Sequence, residues 1–174
     1  MALIKPVLDV TEEELENLFR VNVFGLQNCY TEAAKQMIAQ GNCSSHRVGK
    51  LIGAASVAAF KPLELLGHYS ASKFAVRGLT QAYATELARE NITVNAYAPG
   101  IVGTKMWDFI DASMAELRGA PRGSMIKKYV HEQTALGRVS VEDDVSKLVS
   151  FLASTDSDFV TGQTQIVDGG IFMT

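Results

Sequence analysis

Tyr69 and Lys73 stand four residues apart in a stretch whose spacing predicts a helix, so both side chains leave one face and can reach a common point. A phenol ordinarily keeps its proton to about pH 10, and a fixed ammonium nearby favours the phenolate, which brings the group toward general acid and base work. The same pair also occurs on ordinary helix surfaces, so its surroundings matter. Ser56 lies thirteen residues before Tyr69 and is expected at the carboxyl end of a strand, beside the start of the next helix, where a hydroxyl can donate to a substrate carbonyl oxygen. A nucleophilic serine is the competing chemistry. A-A-S-V-A at 54–58 lacks the glycines of a nucleophile elbow, and His46, His68 and His131 give no triad order with a carboxylate, so hydrolysis is set aside. Cys29 and Cys43 show no C-x-x-C spacing and no histidine pair stands at metal-ligand spacing, which predicts two ordinary thiols and no metal.

These side chains need elements to hold them. Thr11 and Glu14 in V-T-E-E-E at 10–14 form a capping box, with acidic residues at the positive end of a helix. From there apolar residues recur densely to Met37, which predicts one long helix that buries more than one face and ends at Gly41. Residues 41–45 read as loop. The apolar run 50–55 suits a buried parallel strand, and 69–89 reads as a second long helix. Ala71, Ala75, Gly78 and Ala82 give that helix a stripe of small residues that lets another backbone approach. A second strand over 92–98 should stop at Pro99, which cannot donate to a ladder. Residues 104–133 are the least regular part, short helical pieces broken at 119–123. A helix over 141–153, opened by Ser140 with Asp143 three residues on, and a strand over 164–167 complete the chain. The alternation predicts an α/β fold with a doubly wound, Rossmann-like parallel sheet, in which ligands gather at the carboxyl ends of strands, near Ser56, near Pro99 and Gly100, and near Asp168.

Ser56, then Y-S-A-S-K at 69–73, then N-A-Y-A-P-G-I-V-G-T at 95–104, in that order, resemble the short-chain dehydrogenase/reductase family. Asn22 in V-N-V-F-G at 21–25, G-Q at 162–163 and D-G-G at 168–170 extend the likeness over essentially the whole chain. The resemblance implies an oxidoreductase that uses NAD or NADP to move hydride between a nicotinamide and a small ketone or secondary alcohol. It implies that Tyr69 gives or takes the proton, Ser56 orients the substrate carbonyl, Lys73 lowers the tyrosine pKa and hydrogen-bonds the nicotinamide ribose, and Asn22 holds a water that relays protons from Lys73. It further implies that Pro99 and Gly100 let the backbone pass the nicotinamide closely, while the Val102 backbone and the Thr104 hydroxyl bind its carboxamide. Residues 99–107, with Ile110, Asp111, L-G-R at 136–138 and D-S-D at 156–158, are similar to the acetoin/diacetyl reductases and butanediol dehydrogenases of that family. On this reading 104–133 is a lid with an apolar lining from Met106, Trp107 and Phe109, and Met106 and Trp107 contact a small uncharged carbonyl substrate.

The chain departs from the family pattern in one respect: no Gly-rich phosphate-binding fingerprint occurs in it. The expectation is therefore the C-terminal part only, an incomplete single domain over 1–174 without the N-terminal βαβ units that carry the pyrophosphate cradle and the residue choosing NAD or NADP. Strands that would be central become edges, which predicts marginal stability for the chain alone. A catalytically silent binding or assembly partner is the alternative to an enzyme. The resemblance also implies a homo-oligomer, dimer or tetramer, paired through the two long helices. With 174 residues, 47% of them hydrophobic, one domain with a sizeable core is expected. A net charge of -3 without a basic run gives no electrostatic case for nucleic acid or an anionic membrane, and no apolar run approaches a bilayer span or a signal sequence, so a cytoplasmic protein is expected.

Overall fold

A computed structural model describes residues 1–173 apart from Asn42, Ser45 and His46; the loop expected over Asn42 and Ser45, and the argument about His46, lie outside the described residues. The first helix, α1 (Glu12–Phe19), opens on the expected capping box: Thr11 Oγ1 accepts from the Glu14 amide at 3.3 Å and a Glu14 carboxylate oxygen accepts from the Thr11 amide at 2.9 Å. The single long helix expected from there is interrupted. Residues Arg20–Phe24 form a π-helical turn, in which the Gly25 amide donates to the Arg20 carbonyl five residues back, before α2 (Gly25–Ala39) resumes the ordinary pitch. Gly41 follows in the left-handed region at φ +60.

Strand β1 (Gly49–Ala54) leads through a short 3-10 turn, Val57–Ala59, to α3 (Gly67–Leu87), and β2 (Ile92–Pro99) follows. Thus β2 reaches Pro99 and stops there, as its missing donor requires. The segment expected to be irregular is instead built of two regular helices, α4 (Lys105–Leu117) and α5 (Ser124–Gln133). Their apolar residues are spaced for helices, and only the turn between them, with Gly119 at φ +60 and Gly123 at φ +79, breaks the pattern. Next, α6 (Glu142–Ala153) begins one residue later than expected. Its amino end is capped through Asp144, whose carboxylate accepts from the Val141 amide at 2.9 Å, while the Ser140 hydroxyl is spent on the Ile101 carbonyl. Strand β3 (Thr164–Val167) matches the expected bounds.

The three strands form one parallel sheet in the order β1-β2-β3, with Ile52 opposite Asn95 and Ala96 opposite Thr164. Both β1 and β3 are edges among the described residues. Helices α2 and α3 cover one face through Tyr30, Ala34, Ala84, Leu51, Ile92 and Val94, and α6 lies against β1 and β2. Gly53 is required here, because a Cβ at that position would overlap the Tyr30 hydroxyl, which bonds Thr80 Oγ1 and the Asn95 carbonyl at 3.3 Å each. A second cluster, with Leu18, Leu66, Tyr69, Ile110, Met114 and Met125, joins α1 and the start of α3 to α4 and α5. Burying each such large side chain contributes about 1.5–3 kcal/mol, so α4 and α5 are docked on the body by apolar contact.

Candidate active site

The chain leaves β1 in line with the sheet, the Ala55 amide donating to the Tyr97 carbonyl at 2.8 Å. Ser56 is then held extended at the carboxyl end of the strand, as expected, and its Oγ accepts from the Ala58 amide at 3.2 Å. The first turns of α3 bring Tyr69 to the same place, on the same cavity wall as Ser56, whose hydroxyl is near enough to favour the phenolate. Lys73 sits one turn further along α3. Asn22, Ser56, Tyr69 and Lys73 are all buried.

The electrostatics differ from the expected pattern. Burial pushes the Tyr69 phenol above its ordinary value, and the nearby Ser56 hydroxyl only partly offsets this. Lys73 does not hold the phenol down. Its Nζ lies 5.6 Å from the centre of the Tyr69 ring, donates to the Ala54 carbonyl at 2.8 Å, and burial lowers its own pKa from 10.5 to about 8. An ammonium that is itself desolvated and turned onto a backbone carbonyl is a weaker aid to the phenolate than helix spacing suggests. Asn22 reaches the site from the π-helical turn. Its Nδ2 donates to Ser72 Oγ at 3.1 Å and to the Met1 carbonyl at 2.9 Å, and Ser72 Oγ donates to the Tyr69 carbonyl at 2.7 Å.

Residues 99–104 form the second wall. A Cβ on Gly100 would meet Asp168 Cβ and Ile171 Cδ1 at 2.8 Å each, so the glycine expected to admit a nicotinamide is needed first for the chain after β3 to pass. The Asp168 carboxylate accepts from the Gly170 and Phe172 amides at 2.8 Å each, which fixes that passage. The Val102 carbonyl accepts from the Thr104 amide at 2.7 Å, and Thr104 precedes α4 as its cap residue without a side-chain cap bond.

Between these walls and the α4–α5 pair lies a cavity of about 550 Å³, within the usual size of a small-molecule site. Ser56, Tyr69, Pro99, Gly100, Val102 and Thr104 line it, so the structure brings together these residues from three segments of the chain. Lys73 and Asn22 stand behind that surface. Met106 and Trp107 line the cavity as expected, whereas Phe109 points away and is exposed, because position 109 falls on the solvent side of α4. Sequence reasoning missed Leu66, Ile110, Met114 and Tyr129 in the lining. For Ile110 and Met114 the signal was present, since they stand three and seven residues after Trp107 and share its face of a helix. Among the described residues that line the cavity, Glu142 alone is charged.

A family model described as enoyl-(acyl carrier protein) reductase matches residues 1–172. The chain belongs to the short-chain dehydrogenase/reductase family. Within this family it is 51% identical over 171 residues to the L-2,3-butanediol dehydrogenase of Corynebacterium glutamicum, covering 98% of this chain and 64% of that one. It is 45% identical over 168 residues to the (S)-acetoin-forming diacetyl reductase of Staphylococcus epidermidis, covering 97% and 63%. The chain thus spans a little under two thirds of the length of these short-chain dehydrogenase relatives. Among solved structures, the sorbitol-6-phosphate 2-dehydrogenase of Erwinia amylovora superposes with a TM-score of 0.91 at 28% identity, covering 100% of this chain and 66% of that one.

Proposed function

We propose that this chain carries the catalytic half of an NAD- or NADP-dependent dehydrogenase/reductase acting on a small uncharged ketone or secondary alcohol of the acetoin or diacetyl type. The observation that carries the reading is the pair of hydroxyls, Ser56 and Tyr69, on the wall of one apolar cavity with Lys73 one helical turn behind. A nicotinamide, when bound, supplies or accepts the hydride at the substrate carbon. The residues present suit its nicotinamide end: the cavity runs past Pro99, Gly100, Val102 and the Thr104 hydroxyl, close to Tyr69.

Ser56 orients the substrate carbonyl oxygen toward Tyr69, and the Tyr69 proton passes to that oxygen during reduction. The phenol, raised further by burial, stays protonated at neutral pH, which suits the reducing direction. Lys73 restores the proton from the side away from the cavity, and Asn22 and Ser72 hold that turn of α3 in place. Among the described residues, the lining around the substrate offers no cation to pair with a carboxylate or phosphate, which supports an uncharged substrate. The exposed stripe of Ala71, Gly78 and Ala82 on α3, with exposed Val21 and Phe24 before α2, supports pairing between copies through these helices.

The test is nicotinamide cofactor binding and diacetyl reduction by the purified chain beside a form extended upstream in the same reading frame. The expected result is turnover by the extended form, abolished by Tyr69→Phe with cofactor binding retained. Normal turnover by the Tyr69→Phe variant overturns the assignment, and a folded but inert extended form favours a silent assembly partner.

A further inference from the structure

Asp111 lies on α4, only 5% exposed, and no step proposed above uses it. Its Oδ1 accepts from the Ile126 amide at 2.8 Å and its Oδ2 from the Gly123 amide. These donors belong to the amino end of α5, where Gly123 stands at φ +79 as cap residue and offers no side chain of its own. A helix start leaves its first amides without partners, and its positive end favours a carboxylate. The sequence supplies neither Ser, Thr, Asp nor Asn at 123, and the missing cap arrives from twelve residues upstream on another helix.

The clamp has a geometric consequence. Trp107 is one turn before Asp111 on α4, and Tyr129 is one turn after Met125 on α5; the two rings meet edge to face with centres 6.5 Å apart, and both line the cavity. The connecting turn is open around Gly119 and Gly123, where an added Cβ would meet nothing within 4 Å. Apolar packing alone does not fix how far one helix slides along another, whereas two amides converging on one carboxylate do.

We propose that Asp111 is the positioning residue of the lid: its carboxylate ties the start of α5 to α4 and thereby sets Trp107 and Tyr129 as facing walls of the substrate cavity. Its kinetic consequence rests on the dehydrogenase reading; its structural consequence does not. Trp107 is the only tryptophan in the sequence and reports the lid directly.

The experiment compares the wild type with Asp111→Asn, which turns an amide donor toward an amide donor, and with Glu116→Gln on the exposed side of the same helix as control. For Asp111→Asn the expected result is a red-shifted Trp107 emission and about a twofold rise in acrylamide quenching. In the form that reduces diacetyl, KM rises about tenfold while kcat stays within about twofold, the pattern of lost substrate positioning rather than lost chemistry. The control changes neither. A folded Asp111→Asn variant with unaltered Trp107 emission and quenching overturns the proposal, as does a loss confined to kcat in proportion to the folded fraction. If the variant does not fold, hydrogen exchange in the wild type decides: slow exchange of the Gly123 and Ile126 amides supports the clamp, and exchange at the rate of unprotected amides refutes it. If no form turns over ketone but the fluorescence and exchange results are as expected, the clamp stands and the dehydrogenase reading fails.

Discussion

Ser56 and Lys73 are fixed on the body of the molecule by hydrogen bonds to a backbone amide and a backbone carbonyl, whereas Trp107, Ile110, Met114 and Tyr129 across the cavity are held by apolar packing and the buried Asp111 carboxylate. Hydrogen bonds have direction and fix an atom to a few tenths of an ångström, while apolar contacts resist separation but tolerate sliding. On the proposed reading, the side that carries Ser56, which orients the carbonyl oxygen, is therefore the directional one. The side that lines the cavity with apolar residues, and would select the substrate on that reading, is the compliant one.

The largest expected effect on this contrast comes from Ser56→Ala. Removing the hydroxyl leaves the buried Ala58 amide without its acceptor, at a cost of about 1–3 kcal/mol in stability, and in the folded fraction should lower kcat for ketone reduction about a hundredfold with little change in KM, read by steady-state kinetics. An equal loss in KM would move Ser56 from the chemical side to the selecting one. Next is Gly53→Ala beneath the body wall. The added methyl displaces Tyr30 from Thr80 and the Asn95 carbonyl and should destabilise the protein by about 2 kcal/mol in urea unfolding. An unchanged midpoint would mean that the body is as compliant as the lid.

Lys73 gives a pH signature of similar size. Below about pH 8 it is charged both folded and unfolded, and the cost of burying the ammonium is borne in full. Above that pH the folded protein gives up the proton while the unfolded chain still holds it, so stability climbs by about 2 kcal/mol toward pH 10, where tyrosines in the unfolded chain begin to ionise. The climb should vanish in Lys73→Met, followed by thermal unfolding between pH 7 and about 10. The smallest effect is expected at the rim, where Arg118 of the lid meets Glu64 of the body at 2.6 Å with Glu64 73% exposed. Glu64→Gln should change stability by less than about 0.5 kcal/mol, because an exposed ion pair is screened by water and salt.

The same contrast explains what could be read from the sequence. Thr11 with Glu14, the Tyr69 and Lys73 spacing, and the stop at Pro99 are local signals, each set by bonds within a few residues, and each stands where it was expected. The placement of Ser56 beside Tyr69 followed from strand and helix order. The lid was harder. Its two helices were hidden by the glycines between them, and the outward turn of Phe109 depends on helix phase, which a window of mixed residues leaves open. Asp111 capping α5 is a contact between helices with no local trace. The raised Tyr69 pKa was missed because spacing gives the neighbouring charge but not the burial, and burial dominates.

The π-helical turn at Arg20–Phe24 makes α1 and α2 one rod with a phase slip in it. In an ordinary helix each residue advances the face by about 100°, so the extra residue offsets everything after it by that amount. Leu18 on one side of the slip faces the lid cluster, and Tyr30 and Ala34 on the other side face the sheet. Deleting one residue between 20 and 24 would restore a uniform winding, but it would turn Tyr30 and Ala34 off the sheet or Leu18 off the lid cluster. One rod serves two cores only because its winding is broken beside Asn22.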